Sequence, residues 1–204
     1  MEKAEIRRIV RERISAMSAV DRARKGLEAQ RLFLELTAYQ NAQTLSVYLA
    51  MEDEVPTDLI VSEALRAGKR VVAPVVDTRA RQMEMRRIES TPCTRVGALG
   101  ILEPACGEVV SADEIDLVLL PARAIDEAGN RLGRGAGYYD RYLAKTTKAV
   151  LCALAFECQR FDDVPFQDHD VPLDMAVTER GVYLCPEECV DPQMRDARRK
   201  RRGR

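Results

Sequence analysis

Two short runs constrain this chain more than any other feature. DLVLLP, Asp116–Pro121, and AVLCALAF, Ala149–Phe156, are apolar at nearly every position. A strand with one wet face alternates apolar and polar residues, so strands without alternation are covered on both faces. Such cover comes from helices, and the rest of the sequence supplies them. Ile6, Ile9, Val10, Ile14 and Met17 recur at helical spacing. SAVD, Ser18–Asp21, has the form of a capping box that opens a second helix running to about Leu36. TDLIVSEALRAG reads as a short helix with Thr57 at its N-cap and Gly68 as its stop. TLSVYLA (Thr44–Ala50) and RVVAPVV (Arg70–Val76) read as further strands, and QMEMRRI as an alternating one. The expected fold is α/β, an open, mostly parallel sheet with helices on both faces.

Length and charge narrow the partners. A chain of 204 residues is expected to form one domain, residues 1–190, with a basic tail over 191–204. The last ten residues, RDARRKRRGR, hold seven basic side chains and one acidic one. Without them 25 basic residues face 32 acidic, so a net charge of −1 conceals a body near −7. That body is a poor surface for nucleic acid, and its cationic spots must be local. The tail reads either as a solubilising extension or as an electrostatic arm for RNA or anionic lipid. No apolar run reaches the roughly 18 residues of a membrane span. The charged N-terminus MEKAEIRRIVRER is not a secretory signal, so the six cysteines read as reduced thiols and the location as cytoplasmic.

The chemistry is concentrated in RLGRGAGYYDRYL, Arg131–Leu143. This loop follows the DLVLLP strand and leads into a helix expected to start near Ala136 or Gly137. Ligands of open parallel sheets bind beyond the carboxyl ends of the strands. Gly133, Gly135 and Gly137 let backbone approach a ligand closely, and amides at a helix start attract anions. Arg131 and Arg134 add forked donors suited to phosphate oxygens. Asp140 offers oxygens to a hard cation. Phosphate with magnesium is the natural reading. The pattern lacks the last glycine of the dinucleotide fingerprint, and no GxxxxGK[ST] occurs.

The longer segment GNRLGRGAGYYDRYL resembles the signature of the 5-formyltetrahydrofolate cyclo-ligase family. SVYLAMEDEVPT, GKRVVAPVV, GILEP, DLVLLP, ALAFECQ and VPFQDHDVPLD resemble further blocks of that family in order, from about Lys3 to Leu184. The resemblance implies a Rossmann-like sheet of the kind shared by sugar-phosphate isomerases and CoA-transferases. It also implies MgATP-dependent conversion of 5-formyltetrahydrofolate, with or without a polyglutamate chain, into 5,10-methenyltetrahydrofolate, by a monomer. By the same resemblance Lys3, Arg7 and the run Arg131, Leu132, Gly133, Arg134, Gly135, Ala136, Gly137, Tyr138 and Tyr139 would bind ATP. Leu49, Glu54 and Arg134 to Tyr138 would contact folate. Arg131, Arg134 and Tyr138 would act in catalysis, and Asp140 and Asp170 would bind Mg2+.

Two departures from the family pattern stand out. Many relatives carry lysine where this chain has Ala136, so a lysine contact to phosphate is absent or comes from Arg134. The usual proline–glycine–aliphatic–phenylalanine–aspartate segment is here PARAID, with Ala122, Arg123 and Ile125 substituted. Elsewhere, His169 is the one histidine and reads as a loop residue. CPEEC, Cys185–Cys189, lacks a second thiol pair at zinc spacing, Cys93 and Cys106 are too isolated to complete one, and Cys152 reads as core. Two other functions stay open on residues alone: a non-catalytic nucleotide or folate binder, and an isomerase or acyl-CoA transferase that has no need of MgATP.

Overall fold

A computed structural model describes residues 1–88, 93–145, 148–167 and 169–185. The basic tail and the second cysteine of CPEEC lie outside these residues. Helices α1 (Lys3–Ser15), α2 (Ala19–Leu34) and α3 (Thr37–Asn41) precede strand β1 (Thr44–Ser46), helix α4 (Asp58–Arg66) and strand β2 (Arg70–Asp77). Then come β3 (Gln82–Arg87), β4 (Thr94–Val96), β5 (Leu102–Pro104), β6 (Val109–Val110), β7 (Leu117–Pro121), β8 (Ala124–Ile125) and β9 (Arg131–Leu132). Helix α5 (Tyr138–Leu143) and strands β10 (Val150–Leu154), β11 (Met175–Thr178) and β12 (Gly181–Leu184) complete the chain.

Eight strands form one sheet in the order β12-β11-β10-β7-β1-β2-β3-β6. The five central strands are parallel, and antiparallel strands close both edges. This is the expected α/β architecture. The non-alternating strands are its middle. Leu117, Leu119, Cys152 and Leu154 face one cluster with Ile6, Val10, Phe33 and Ile60. Val118, Leu120, Leu151 and Ala153 face the other, with Tyr142 and Leu143. The helical cover is unequal: side chains of α1 to α4 pack into the first cluster, whereas among the described residues the second takes its α-helical side chains from the six-residue α5. Ile6, Val10 and Ile14 are buried along α1, each contributing about 2 kcal/mol of hydrophobic stabilisation. Lys3 and Arg7 lie on the same side of that helix, half-buried, so this burial carries them to the cavity.

Several local expectations are corrected. Ser18 accepts from Asp21 N–H and opens α2 as expected, but the helix ends at Leu34, not Leu36. Thr57 makes no capping bond. Its hydroxyl donates to the Tyr48 carbonyl (2.7 Å), and Gln30 Oε1 accepts the N–H groups of Leu59 and Ile60 instead. The helix start is therefore capped by its neighbour α2, a tertiary partner invisible to a local motif. The strand expected over Thr44–Ala50 is regular only to Ser46, although Val47 N–H still bonds Val72 O. Cys93 and Cys106 are joined as a disulfide, with Cα atoms 6.0 Å apart, so the reading of six reduced thiols fails for this pair. The β4–β5 hairpin brings them together, a juxtaposition their separation of 13 positions does not announce. Cys152 is fully buried in the sheet, as read from sequence. No helix among the described residues is long and apolar enough to cross a membrane.

Candidate active site

A turn delivers the glycine segment to the sheet's carboxyl edge. Asp126, the aspartate of PARAID, accepts Asn130 N–H (2.8 Å) and Asn130 Nδ2 (2.7 Å) at its two oxygens, and Val164 N–H at Oδ2 (2.9 Å). Burial pushes its carboxyl up, against those hydrogen bonds. Gly129, at φ +88°, completes the reversal. The chain then pairs as β9 with β8 and enters the loop Gly133–Gly137.

Among the described residues, no protein acceptor is found for the backbone N–H groups of Gly133 through Gly137. Unpaired amides in succession are what an anion needs. The loop's carbonyls, by contrast, are held: Arg7 Nε donates to Gly133 O (2.9 Å) and Arg141 Nη2 to Ala136 O (3.1 Å). Gly135, at φ +109°, adopts a conformation that side chains with a Cβ avoid. Helix α5 starts at Tyr138, one residue after the expected position, and is too short for much dipole. The loop amides, rather than the helix, are the feature suited to an anion.

One cavity receives all the residues singled out above: Lys3, Arg7, Leu49, Glu54, the run Arg131–Asp140, and Asp170. It opens at the carboxyl ends of β7, β1 and β2, where Pro121, Tyr48, Pro74 and Val76 line it. Met83, Leu99, Ile101 and Glu103 form an apolar-edged wall that sequence reasoning missed. Leu99 and Ile101 belong to the β4–β5 turn, and Glu103 Oε1 accepts Val76 N–H (3.0 Å), pinning that hairpin to the sheet. Arg123, noted in sequence only as a departure, also lines the cavity, although 9% exposed.

The charges are arranged in pairs. Lys3 Nζ lies 2.7 Å from Asp170, which also accepts Gln167 N–H. Arg131 Nη2 lies 2.8 Å from Asp140, with its guanidinium 5.7 Å from the centre of the Tyr139 ring. Arg134 bonds Glu54 (3.0 Å) and Asp53 (2.5 Å), and Arg123 meets the other Asp53 oxygen (2.5 Å). Burial raises the Asp53 carboxyl, but these two guanidiniums outweigh it and hold the group below the usual carboxylate range. Burial and then the nearby Glu54 charge push the Tyr139 hydroxyl well up, keeping it protonated. Of the five cations lining the cavity, Arg7 alone has no carboxylate within salt-bridge distance among the described residues. Arg134 is thus paired with the two acids of the β1–α4 loop.

The profile of the 5-formyltetrahydrofolate cyclo-ligase family matches residues 1–179. The chain belongs to that family. The 5-formyltetrahydrofolate cyclo-ligase of Mus musculus is 33% identical over 192 residues, covering 87% of this chain and 93% of the mouse protein. The NMR structure of Aquifex aeolicus 5,10-methenyltetrahydrofolate synthetase superposes with a TM-score of 0.80 at 30% identity, covering 91% of this chain and 93% of that one. A Mycoplasma pneumoniae 5,10-methenyltetrahydrofolate synthetase shares the fold at a TM-score of 0.71 and 23% identity. As a cyclo-ligase family member the chain is an enzyme, a ligase of folate metabolism. Family membership argues against the isomerase and acyl-CoA transferase readings.

Proposed function

We propose that the enzyme uses MgATP to close 5-formyltetrahydrofolate into 5,10-methenyltetrahydrofolate, releasing ADP and phosphate. One observation supports this reading above the others. Among the described residues, the amides of Gly133–Gly137 without a protein acceptor and Arg7 without a carboxylate partner share a cavity with an apolar wall. A phosphate chain and a heterocycle can therefore lie side by side.

The formyl group is amide-like, a poor electrophile whose oxygen leaves badly. In the proposed scheme that oxygen attacks the γ-phosphorus and ADP departs. N10 then attacks the activated carbon and loses its proton, and inorganic phosphate leaves with the former formyl oxygen. The protein's work is positioning and charge stabilisation. Gly133–Gly137 and Arg7 hold the phosphates, and Arg131, Arg134 and Tyr138 sit where charge develops. Leu49 and Glu54 receive the folate, Glu54 as an acceptor for pterin N–H groups.

The donor set suits magnesium, which binds through one or two carboxylates plus substrate phosphates. Asp140 and Asp170 are two such carboxylates, and no group of three or more metal-ligating side chains occurs among the described residues. When bound, the ion neutralises phosphate charge. Both carboxylates are paired with cations, Arg131 and Lys3, which are themselves suited to phosphate. A MgATP unit exchanges two internal ion pairs for two ligand contacts on each side, so little net charge is uncovered. The site works without help from the tail, and a monomer in the cytoplasm is the setting we assign.

Purified protein supplied with 5-formyltetrahydrofolate and MgATP is expected to form the methenyl product, followed by its long-wavelength absorbance. Folded protein giving no product with fresh substrate would exclude the reading.

A further inference from the structure

The guanidinium of Arg123 has an unusual setting. Its side chain is 10% exposed, yet it lines the cavity, and its single ion pair is to Asp53 through Nη2. Among the described residues no hydrogen-bond acceptor is found for its Nε or Nη1. Asp53 is shared with Arg134, so one carboxylate faces two guanidiniums there. On the cavity side Arg123 has a second cation for company. The guanidinium of Arg7 is driven below its ordinary value by burial and then by the charge of Arg123, partly offset by Asp170. Arg7 in turn lies against the glycine loop, Nε on the Gly133 carbonyl and Nη2 at 3.4 Å from where a Gly135 Cβ would stand. Two partly buried guanidiniums beside a run of unpaired amides repel one another until an anion lies between them.

We propose that Arg123 is a further phosphate-binding residue of this site, acting with Arg7 and the glycine loop on the phosphate chain of the nucleotide. The inference rests on the proposed use of ATP. Asp53 is the buttress: it orients the fork through one donor and leaves the others toward the ligand. Ala136, exposed at the middle of the loop and lining the same cavity, contributes no charge, so Arg123 supplies what that position lacks.

Calorimetric titration tests this without turnover, using a non-hydrolysable ATP analogue with magnesium and, separately, 5-formyltetrahydrofolate. Arg123→Leu is expected to weaken the nucleotide about tenfold or more, the worth of one charge-assisted contact, and to leave folate affinity within about twofold. Adding Ala136→Lys to that variant is expected to restore much of the lost nucleotide affinity. Arg123→Gln, a smaller change, carries the same expectation if the leucine variant melts early. Unchanged nucleotide affinity overturns the proposal. So does a loss confined to folate, which would assign the guanidinium to a substrate carboxylate. Wild-type protein that binds no nucleotide would instead refute the proposed function, a distinct result.

Discussion

The two sides of the cavity were built by different means. The glycine side is one stretch of chain, Gly133 to Asp140, joined by two residues one helical turn apart on α1, Lys3 and Arg7. The rest of the lining draws Tyr48, Pro74, Met83, Leu99, Ile101 and Glu103 from four separate segments. A phosphate chain asks for contiguous amides and nearby cations, and both can be written locally. A flat organic ligand asks for a shaped apolar surface, which only tertiary packing assembles. The first side therefore reads out as a motif, and the second appears only once the chain has folded.

The largest effect is expected at Asp140. Asp140→Asn keeps the shape and removes the charge, so magnesium-dependent stabilisation of the transferring phosphoryl group should fall. The rate should drop by roughly two to three orders of magnitude, as for other lost electrostatic contacts. The same change weakens the pairing of Arg131, whose side chain is 3% exposed, so a lower melting temperature is expected in the folded mutant. A magnesium titration of turnover, with circular dichroism as the control, separates the two. Superimposable titration curves would place Asp140 outside the chemistry, as a structural partner of Arg131 only.

A smaller effect is expected from backbone alone. Gly135→Ala adds one methyl group at φ +109°, where its Cβ would stand 3.4 Å from Arg7 Nη2. Holding a non-glycine residue in that region costs on the order of 1–3 kcal/mol, so the loop relaxes instead and misplaces its amides. Nucleotide affinity should fall about tenfold or more while folate affinity holds. Equal loss of both ligands would mean that the two sides are one mechanical unit, contrary to the contrast drawn above.

The same contrast explains what could be read from residues. The non-alternating runs at Leu117–Pro121 and Val150–Leu154 announced the buried parallel strands, because their coverage is written in their own composition. The pairing of Lys3 with Asp170 was not legible: nothing in QDHDVPLD says which cation it meets. Thr57 looked like a cap and is not, since Gln30 from another helix takes that role. Arg123 was seen only as a misfit to a pattern, and its partnership with Asp53 depends on how the β1–α4 loop returns over the site. Cys93 and Cys106 looked isolated because hairpin register, not spacing, unites them.

The smallest effect is expected at that hairpin. The disulfide closes its base, where Ala105 N–H also bonds Cys93 O, and the turn between β4 and β5 places Leu99 and Ile101 on the cavity wall. The hairpin has a second tether in Glu103, whose carboxylate holds Val76 N–H and leaves no room for a side chain at Gly97. With that tether intact, loss of the disulfide loosens the wall without removing it. Cys93→Ser combined with Cys106→Ser is expected to raise KM for 5-formyltetrahydrofolate by about two- to fivefold and to leave KM for ATP unchanged. Ordering the loosened wall on binding costs roughly 0.5–1 kcal/mol, the size of about one immobilised side chain. Wild-type protein treated with a dithiol reductant should move the same way, whereas the double serine variant should ignore the reductant. If instead KM for ATP rises with folate unaffected, the hairpin serves the phosphate side, and the division between a locally written half and a tertiary half does not hold.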